Sequence, residues 1–425
     1  MSLMSQLKKQ TSGAKAEKKF GAEMPSITLT TGFPTFDYFN GKIGLDPVTG
    51  KPILFSGLNA GKSIMIVGPT GSGKSTLAYQ MAYNLVKSYE NGGIVVLDYE
   101  GAFSDERFYG VTGATHEWFE ENVQVKSKGV YSETLMNYVV EIHNLKKSMK
   151  DSIMVDNPNG VLDPETGEVA KMYPPTAIII DSVAVMRPIK FSDSEDAELA
   201  GPTAAGRISQ VNGEIFKRLI QLCLETNIYI VSVNHLTAKM SPNGLPVPAD
   251  IKGMSQQDHI PGGKSVSYIS DTLLIVQLKD RLDPNKPDKN KWHIDGYEAE
   301  VKMVKSRNSA ANRMFNLIFD QYDGFSPELS MVNDLLTDGV ITGRGSAYKL
   351  PNLDMKFALC DVKELWSTNP EFKNALLAAY HEYGVNNIRT PRNIRTQFTI
   401  EENPEIIDES VAVDDMISDN TVLDV

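Results

Sequence analysis

A glycine-rich loop followed by a lysine and a serine has the clearest chemistry in this sequence. The loop, Gly68-Pro69-Thr70-Gly71-Ser72-Gly73-Lys74-Ser75, follows an apolar run at residues 64–67 and precedes a segment with helical spacing. Its glycines let several backbone N–H groups turn inward, where they and the start of the next helix can bind phosphate. In this motif the lysine contacts the β- and γ-phosphates and the serine hydroxyl ligates Mg²⁺. We therefore predict a site for ATP and Mg²⁺ formed by residues Gly68 to Thr76.

Acidic side chains that follow two other apolar runs are candidates for metal binding and for general-base catalysis. Asp181 follows the run at 177–180, where a carboxylate can hold the water shell of Mg²⁺ beside Ser75. Glu100 follows the run at 94–97, and at the active edge of a parallel sheet it could orient or deprotonate the attacking water. Asp98, two residues earlier, would point the same way on a strand and is the main alternative base.

The elements that must position these residues alternate between apolar runs and segments with helical spacing. Strands are predicted at 64–67, 94–97, 177–180, 228–233, 272–278, 300–304 and 313–319, and helices at 76–87, 133–148 and about 205–225. This alternation predicts an α/β fold with a mostly parallel central sheet covered on both faces. Turn residues predict a hairpin around 46–51 and a surface hairpin insertion at 152–174, and residues 26–39 are predicted as a short strand and a turn.

Composition indicates a folded intracellular protein. The 425 residues are 41% hydrophobic, and no apolar run reaches the length of a membrane span, so we expect no membrane partner. The two cysteines, Cys223 and Cys360, imply neither a disulfide framework nor a cysteine-based zinc site. A reducing compartment is therefore expected, either the cytoplasm or an association with nucleoid or viral DNA.

Charge is concentrated at the two ends of the chain. Residues 401–425 hold nine acids and no Lys or Arg, which accounts for nine of the twelve net negative charges. The first twenty residues hold five Lys and one Glu. Such asymmetry indicates nucleic-acid binding or self-association, and solvated, disordered ends are the alternative interpretation.

Eight motifs, in order, resemble those of the RecA family of strand-exchange recombinases, and its tailed-phage members most of all. The resemblance covers about residues 18–384. In chain order the motifs are Lys18-Lys19-Phe20-Gly21 with residues 27–32, the phosphate loop, Asp98-Tyr99-Glu100, Ile180-Asp181-Ser182-Val183, Val233-Asn234-His235, Pro261-Gly262-Gly263-Lys264, Lys302-Met303-Val304-Lys305-Ser306-Arg307, and Leu365-Trp366 to Tyr380 with Gly384.

The resemblance implies roles for particular side chains around ATP. Glu100 would be the catalytic base, and His235 would sense the γ-phosphate in the place where bacterial members carry glutamine. A histidine there can still donate to a phosphate oxygen, but its charge would respond to pH. Lys305 and Arg307 would reach the ATP of a neighbouring protomer and neutralise charge at its γ-phosphate, so that hydrolysis would require a filament.

The aromatic residue that stacks on adenine in the family is not in strict register here. Phe108, or Tyr109, would take that place through a one-residue insertion after Glu100. We retain Phe108 as the candidate base-binding residue.

Two long segments with little periodicity are candidates for DNA contact. The first, 187–207, holds four acids and is not a basic patch, so DNA binding follows from the resemblance and not from composition. The residues expected to contact DNA are Arg187, Arg207, Lys239, Lys252, Gly262, Gly263 and Lys264. Summed along a filament, such contacts should weaken steeply with salt.

These observations predict an ATP-dependent DNA recombinase. It would form a helical homo-oligomer on single-stranded DNA and exchange strands with homologous double-stranded DNA in recombination and repair, with mediators and single-strand-binding protein as further candidate partners. The predicted domains are an N-terminal oligomerisation arm (1–40), an ATPase core (41–328), a small C-terminal domain (329–400) and an acidic tail (401–425). One alternative is a hexameric helicase, which normally has an additional N-terminal domain where about 40 residues precede the core here. The other is a nucleotide-gated structural filament.

Overall fold

The structure is a computed structural model that describes residues 27–191, 202–238, 249–262, 264–285 and 292–388, with only the backbone described at 202–205 and 264–265. Within these ranges the predicted α/β class is confirmed, because a nine-stranded, mostly parallel sheet lies at the centre. The same ranges contain no helix that is both long and apolar enough to span a membrane.

The strands pair either within the central sheet or as small two-stranded ribbons. In chain order they are β1 (Thr28–Leu29), β2 (Lys42–Leu45), β3 (Pro52–Phe55), β4 (Leu58–Asn59), β5 (Ser63–Gly68), β6 (Gly93–Asp98), β7 (Val123–Lys126), β8 (Val155–Asp156), β9 (Lys171–Met172), β10 (Thr176–Asp181), β11 (Ile228–His235), β12 (Thr237–Ala238), β13 (Asp258–His259), β14 (Thr272–Leu282), β15 (Gly296–Ser306), β16 (Arg313–Asp320), β17 (Gly324–Ser326), β18 (Tyr348–Lys349) and β19 (Lys356–Phe357). The central order is β17-β16-β15-β14-β5-β11-β10-β6-β7. Pairs from β14 to β7 are parallel, and those from β14 to β17 are antiparallel.

Helices cover both faces of this sheet. They are Pro34–Phe39, Lys74–Val86, Asp105–Thr112, His116–Asn122, Ser132–Ser148, Lys150–Ile153, Pro202–Thr226, Lys264–Ile269, Pro327–Thr337, Val362–Thr368 and Pro370–Asn387. Because side chains alternate along a strand, Ile64 and Ile66 of β5 pack with the helix Lys74–Val86, whereas Met65 and Val67 pack with the helices at 132–148 and 202–226. Burial on both faces explains why these strands read as continuous apolar runs.

The structure around two predicted features, the segment 26–39 and the boundary at 328/329, is as follows. The sequence predicts a strand and a turn at 26–39, but β1 is followed by the helix Pro34–Phe39, which begins with a proline at a position where no N–H is needed. The predicted boundary at 328/329 falls inside the helix Pro327–Thr337. A single apolar cluster joins Tyr38, Ile318 and Leu329 with Phe372 of the helix Pro370–Asn387.

Both predicted hairpins are present, and their tips share one sequence pattern. Leu-Asp-Pro-x-Thr-Gly occurs at 45–50 between β2 and β3 and again at 162–167 between β8 and β9. In each tip the glycine N–H donates to the aspartate carbonyl, at 2.9 Å for Gly50 and 2.8 Å for Gly167. The tips also touch, since Asp46 Oδ2 accepts the Leu162 N–H at 3.0 Å.

The insertion between β8 and β9 also holds the start of the described chain. Asn159 Oδ1 accepts the Thr28 N–H at 2.7 Å, and its Nδ2 donates to Thr28 Oγ1 at 3.0 Å. The insertion is therefore packed against β1 as well as against the first hairpin.

Candidate active site

The phosphate loop lies at the carboxyl end of β5, between Gly68 and the helix that begins at Lys74. Gly71 and Gly73 both have a φ of 78°, which side-chain-bearing residues rarely adopt. A Cβ at Gly73 would also lie 2.7 Å from Tyr297 Oη and 2.9 Å from the Phe325 ring. Space and backbone conformation therefore both require glycine at position 73.

Lys74 is held inside this loop. Its side chain is only 6% exposed, and Nζ donates to the Pro69 carbonyl at 2.7 Å. Burial lowers the Lys74 pKa, although the charges of Asp181 and Glu100 act in the opposite direction. Next to it, Ser72 Oγ is buried and has no hydrogen-bond partner among the described residues. A cation and an unpaired hydroxyl in one loop suit a bound phosphate group.

Ser75 and Asp181 are the residues that would hold Mg²⁺. Burial raises the Asp181 pKa, while a hydrogen bond between Ser75 and the Asp181 carboxyl lowers it. A hydroxyl and a carboxylate at the same end of the central strands are an oxygen donor set that fits this ion. When bound, Mg²⁺ neutralises phosphate charge.

Glu100 lies at the same edge of the sheet and is bonded from two sides. Ser182 Oγ and His235 Nε2 both contact Glu100 Oε1, the second at 3.0 Å. Partial burial tends to raise the Glu100 pKa, but these two bonds and the charges of His235 and Lys74 outweigh it and hold the pKa below its usual range. Its side chain remains 30% exposed, so a water molecule can approach it. The carboxylate is therefore ionised at neutral pH, as a base must be.

The carboxylate of Asp98, the alternative base, stabilises a turn of the backbone. Asp98 is 3% exposed, and its carboxylate accepts the N–H groups of Gly101 at 2.8 Å, Ala102 at 3.2 Å and Phe103 at 3.1 Å. These three bonds form the turn that carries the chain from β6 past Glu100. The geometry therefore favours Glu100 over Asp98 as the base.

We expect Asp98→Ala to lower the free energy of unfolding by about 2 kcal/mol, because three N–H groups in a partly buried turn lose their acceptor. The measurement is chemical denaturation. Asp280→Ala, at an exposed position on β14, is the matched control and should change stability by less than about 0.5 kcal/mol. Equal stability of the two variants would show that the turn does not depend on the carboxylate.

The prediction that Phe108 stacks on a nucleobase is wrong in this structure. Its side chain is 0% exposed and lies among the rings of Tyr79, Phe103 and Phe119, with centroids at 5.8, 6.2 and 5.3 Å. Phe108 is a core residue on the buried side of the helix Asp105–Thr112. Tyr109, the other candidate, is partly buried and packs on His116 and on Phe119.

Lys305 and Arg307 lie at the opposite end of β5 from the phosphate loop. Lys305 Nζ donates to the carbonyls of Ser267 and Tyr268, and Arg307 donates to the Asp271 carboxylate at 3.1 Å. Asp271 in turn contacts Ser63, the first residue of β5. The length of β5 places this cluster roughly 16 Å from the loop of the same chain. Burial and the charge of Arg307 lower the Lys305 pKa to about 8.

The residues predicted to contact DNA are only partly described. Arg187, Arg207 and Lys252 are exposed. Lys264 begins the helix Lys264–Ile269 with its backbone alone described, and Lys239 and Gly263 lie outside the described residues.

Gly262 lies close to the carboxyl ends of the central strands. A Cβ there would lie 3.0 Å from the carbonyl of Val183, which follows the Asp181-Ser182 pair. The preceding residue, Pro261, accepts a bond from Asn234 Nδ2 at 2.9 Å.

Comparison with known proteins agrees with this geometry. Residues 51–239 match the family model of the AAA domain. This segment, a little under half of the chain, is similar to a P-loop ATPase domain. The matched segment includes the phosphate loop, Glu100, Asp181 and His235, and supports nucleotide binding and hydrolysis. No curated protein matches the chain.

Two contacts in the ATPase domain were not foreseen from the sequence. One is the bond from Ser182 to Glu100, for which the only signal is a hydroxyl directly after a strand-end aspartate. The other is the position of Arg107 beside Thr76, at the start of the phosphate-loop helix. Arg107 directly precedes Phe108, the aromatic residue that the sequence favoured, in the helix Asp105–Thr112.

Proposed function

We propose that this chain is an ATP-dependent DNA recombinase that forms helical filaments on single-stranded DNA and exchanges strands with homologous duplex. The observation that carries the proposal is the separation of Lys305 and Arg307 from the phosphate loop of their own chain. Because these two cations lie at the opposite end of β5, any nucleotide site that they complete must belong to another molecule. Repeated head-to-tail contact of this kind generates a ring or a helical filament.

The path of the chain after β11 supports a link between nucleotide and DNA. β11 ends in Asn234 and His235, and the β12–β13 ribbon follows directly. The segment that this ribbon encloses contains part of the predicted DNA-contacting set. Asn234 Nδ2 donates to the carbonyl of Pro261, just after β13, and Asn234 Oδ1 accepts the His235 N–H. A change at His235 would therefore be transmitted to the enclosed segment through neighbouring residues.

Within one site each residue has a separate role in hydrolysis. Glu100 orients the attacking water and accepts its proton, while Lys74 holds the phosphates. His235 is bonded to Glu100 in the present arrangement, and a γ-phosphate would compete for its Nε2–H. Lys305 and Arg307 of the adjacent copy would neutralise charge as the phosphoryl group leaves.

Mixing two inactive variants tests the shared site. Lys74→Ala and Arg307→Ala should each abolish strand exchange, since one lacks the phosphate-loop cation and the other the cation donated to a neighbour. A mixture creates some sites with both cations and should recover part of the ATPase activity. A mixture that is no more active than either variant alone would contradict a site shared between copies.

Two further measurements separate the alternatives. Electron microscopy with single-stranded DNA and ATP should show open helical filaments, whereas closed hexameric rings would favour the helicase. Single-stranded DNA should stimulate ATP hydrolysis. Filaments with no such stimulation would favour the structural filament.

We expect deletion of residues 401–425 to tighten DNA binding severalfold at moderate salt, because the nine acids of this tail compete with DNA for the same cations. Fluorescence anisotropy with a labelled oligonucleotide measures the effect, which should shrink as salt rises. A control tail of equal length with Asn and Gln in place of the acids should behave like the deletion. Unchanged DNA affinity in both the deletion and the Asn/Gln tail would contradict competition between the tail and DNA.

A further inference from the structure

Asp271 joins the start of β5 to the end of β15, next to Lys305 and Arg307. The residue is 6% exposed and directly precedes β14. Its N–H donates to the Ser63 carbonyl at 3.0 Å, and its own carbonyl accepts the Arg307 N–H at 3.1 Å. The Asp271 backbone is therefore bonded on one side to the strand that leads to the phosphate loop and on the other to the residue that follows β15.

The Asp271 carboxylate is bonded through both of its oxygens. Oδ2 accepts the Ser63 N–H and the Ser63 hydroxyl, each at 3.1 Å. Oδ1 lies 3.3 Å from Lys62 Nζ and accepts a bond from Arg307 Nη1 at 3.1 Å. One oxygen is thus held by a strand of the central sheet, and the other is shared by two cations. A buried carboxylate needs partners of this kind.

Lys62, Lys305 and Arg307 place more positive charge at this end of β5 than Asp271 alone offsets. Because Lys62 shares the oxygen that binds Arg307, the contact with Asp271 does not cancel the charge of the guanidinium. Burial and the charge of Arg307 lower the Lys305 pKa to about 8, and the charge of Asp271 opposes both effects. Asp271 therefore reduces the repulsion between these cations and leaves the group positive.

The contact with Asp271 fixes the Arg307 guanidinium at one end and leaves donors for a further anion. Nη1 binds the carboxylate, and Nη2 lies 3.4 Å from the Tyr268 carbonyl. These contacts do not use all the N–H groups of the planar fork, and the Arg307 side chain is 48% exposed. A phosphate group outside the chain can therefore reach the guanidinium while Asp271 still holds it.

We propose that Asp271 is a positioning residue for ATP hydrolysis on a neighbouring copy of the chain. Its carboxylate holds Arg307 where the guanidinium can meet the neighbour's phosphates, and Lys62 offsets the negative charge of that carboxylate. The proposal rests on the shared nucleotide site of the proposed function. An arginine that is already held in place loses less rotamer freedom when it meets the transition state, so positioning increases the rate. Asp271 touches no reacting atom and acts through Arg307.

ATP hydrolysis by the full chain with single-stranded DNA tests this role. Asp271→Asn keeps the size of the side chain and an oxygen that can accept from Ser63, but it removes the charge that holds Arg307. It should lower kcat at least about tenfold, because a catalytic group is displaced. ATP affinity measured without DNA should stay within about twofold of wild type, since the phosphate loop is unchanged. The double variant with Arg307→Ala should be no slower than Arg307→Ala alone.

Mixing variants separates positioning from a purely structural role. An equal mixture of Asp271→Asn and Lys74→Ala contains sites that combine an intact loop from the first with correctly held cations from the second. Random assembly makes about a quarter of the sites of this kind, so about that share of the wild-type rate should return. Asp280→Asn, at an exposed position on β14, is the matched control and should hydrolyse ATP like wild type without mixing.

Ser63→Ala is the second variant, used if thermal melting shows that Asp271→Asn does not fold. It removes the hydroxyl bond to the carboxylate, keeps the N–H bond, and should lower kcat severalfold. A kcat at or above wild type in folded Asp271→Asn, or in Ser63→Ala where only that variant folds, would overturn the positioning role.

The mixtures and the double variant distinguish failure of this role from failure of the shared site. A double variant clearly slower than Arg307→Ala would overturn positioning through Arg307. Positioning is also overturned if mixing with Lys74→Ala restores Arg307→Ala but not Asp271→Asn. If mixing restores neither variant, the site is not shared between copies, and the proposed function fails with it.

Discussion

Lys74→Ala will reduce ATP hydrolysis by at least about 100-fold, because it removes a positive charge from the group that holds the phosphates. In the folded chain Lys74 is already buried in the loop and bonded to the Pro69 carbonyl, so little reorganisation is needed when phosphate binds. Phosphate release measured in the presence of single-stranded DNA gives the rate. A strand-exchange assay run with ATP on the same samples should fail in parallel.

Lys126→Ala is the matched control for this loss. Lys126 is an exposed lysine on β7, the outermost strand beyond β6, and is not part of the proposed site. This variant should hydrolyse ATP and exchange strands like wild type. If Lys74→Ala retained strand exchange while its melting curve matched wild type, ATP turnover would not drive the reaction and the mechanism would be wrong.

Glu100→Gln will lower the rate of hydrolysis by about 10²–10⁴-fold while leaving ATP binding within a fewfold of wild type. Glutamine keeps an oxygen that can accept the bonds from Ser182 and His235, but it cannot take a proton. The effect should therefore appear in kcat and not in nucleotide affinity. Single-turnover hydrolysis and equilibrium binding of ATP separate the two quantities.

The pH dependence of the wild-type rate follows from the same carboxylate. The lowered Glu100 pKa means that the base stays ionised into mildly acidic solution, so base-dependent hydrolysis should fall only below the usual range for glutamate. Glu90→Gln, an exposed position beyond the phosphate-loop helix, should leave the rate unchanged. Intact hydrolysis in Glu100→Gln would mean that another group is the base.

The strands and the phosphate loop could be predicted because their signals are local. β5 and β10 are short apolar runs, and each ends at a residue with recognisable chemistry, Gly68 and Asp181. Burial on both faces removes the alternation that an exposed strand would show, and the turns that follow contain glycine or acidic residues. The residues at the active edge of the sheet can therefore be located from the order of these runs and turns along the chain.

The choice between Asp98 and Glu100 could not be made from the sequence. The two carboxylates are two residues apart and would lie on the same side if the strand continued. In the structure β6 ends at Asp98, and the path of the chain after it separates the two. Only the folded turn shows that three N–H groups converge on Asp98. The prediction for Phe108 was wrong for a similar reason, since the burial of this side chain depends on how the helices at 74–86, 105–112 and 116–122 pack together.

Contacts between distant parts of the chain could not be predicted from the sequence either. Nothing near Arg307 in the sequence indicates that Asp271 is its partner, and nothing near Thr28 indicates Asn159. Such pairs arise from the order of strands in the sheet and from the placement of the hairpins. Periodicity and motif spacing contain no information about either.

The paired hairpin tips give this protein two natural positions for reporter dyes. The tips touch through Asp46 and Leu162, so a dye on each would keep a fixed separation within one molecule. Of the two native cysteines, Cys223 is buried and Cys360 is exposed, so a Cys360→Ser background leaves an introduced thiol as the accessible one. With donor dye on one set of molecules and acceptor dye on another, energy transfer would then report in real time whether copies of the chain associate.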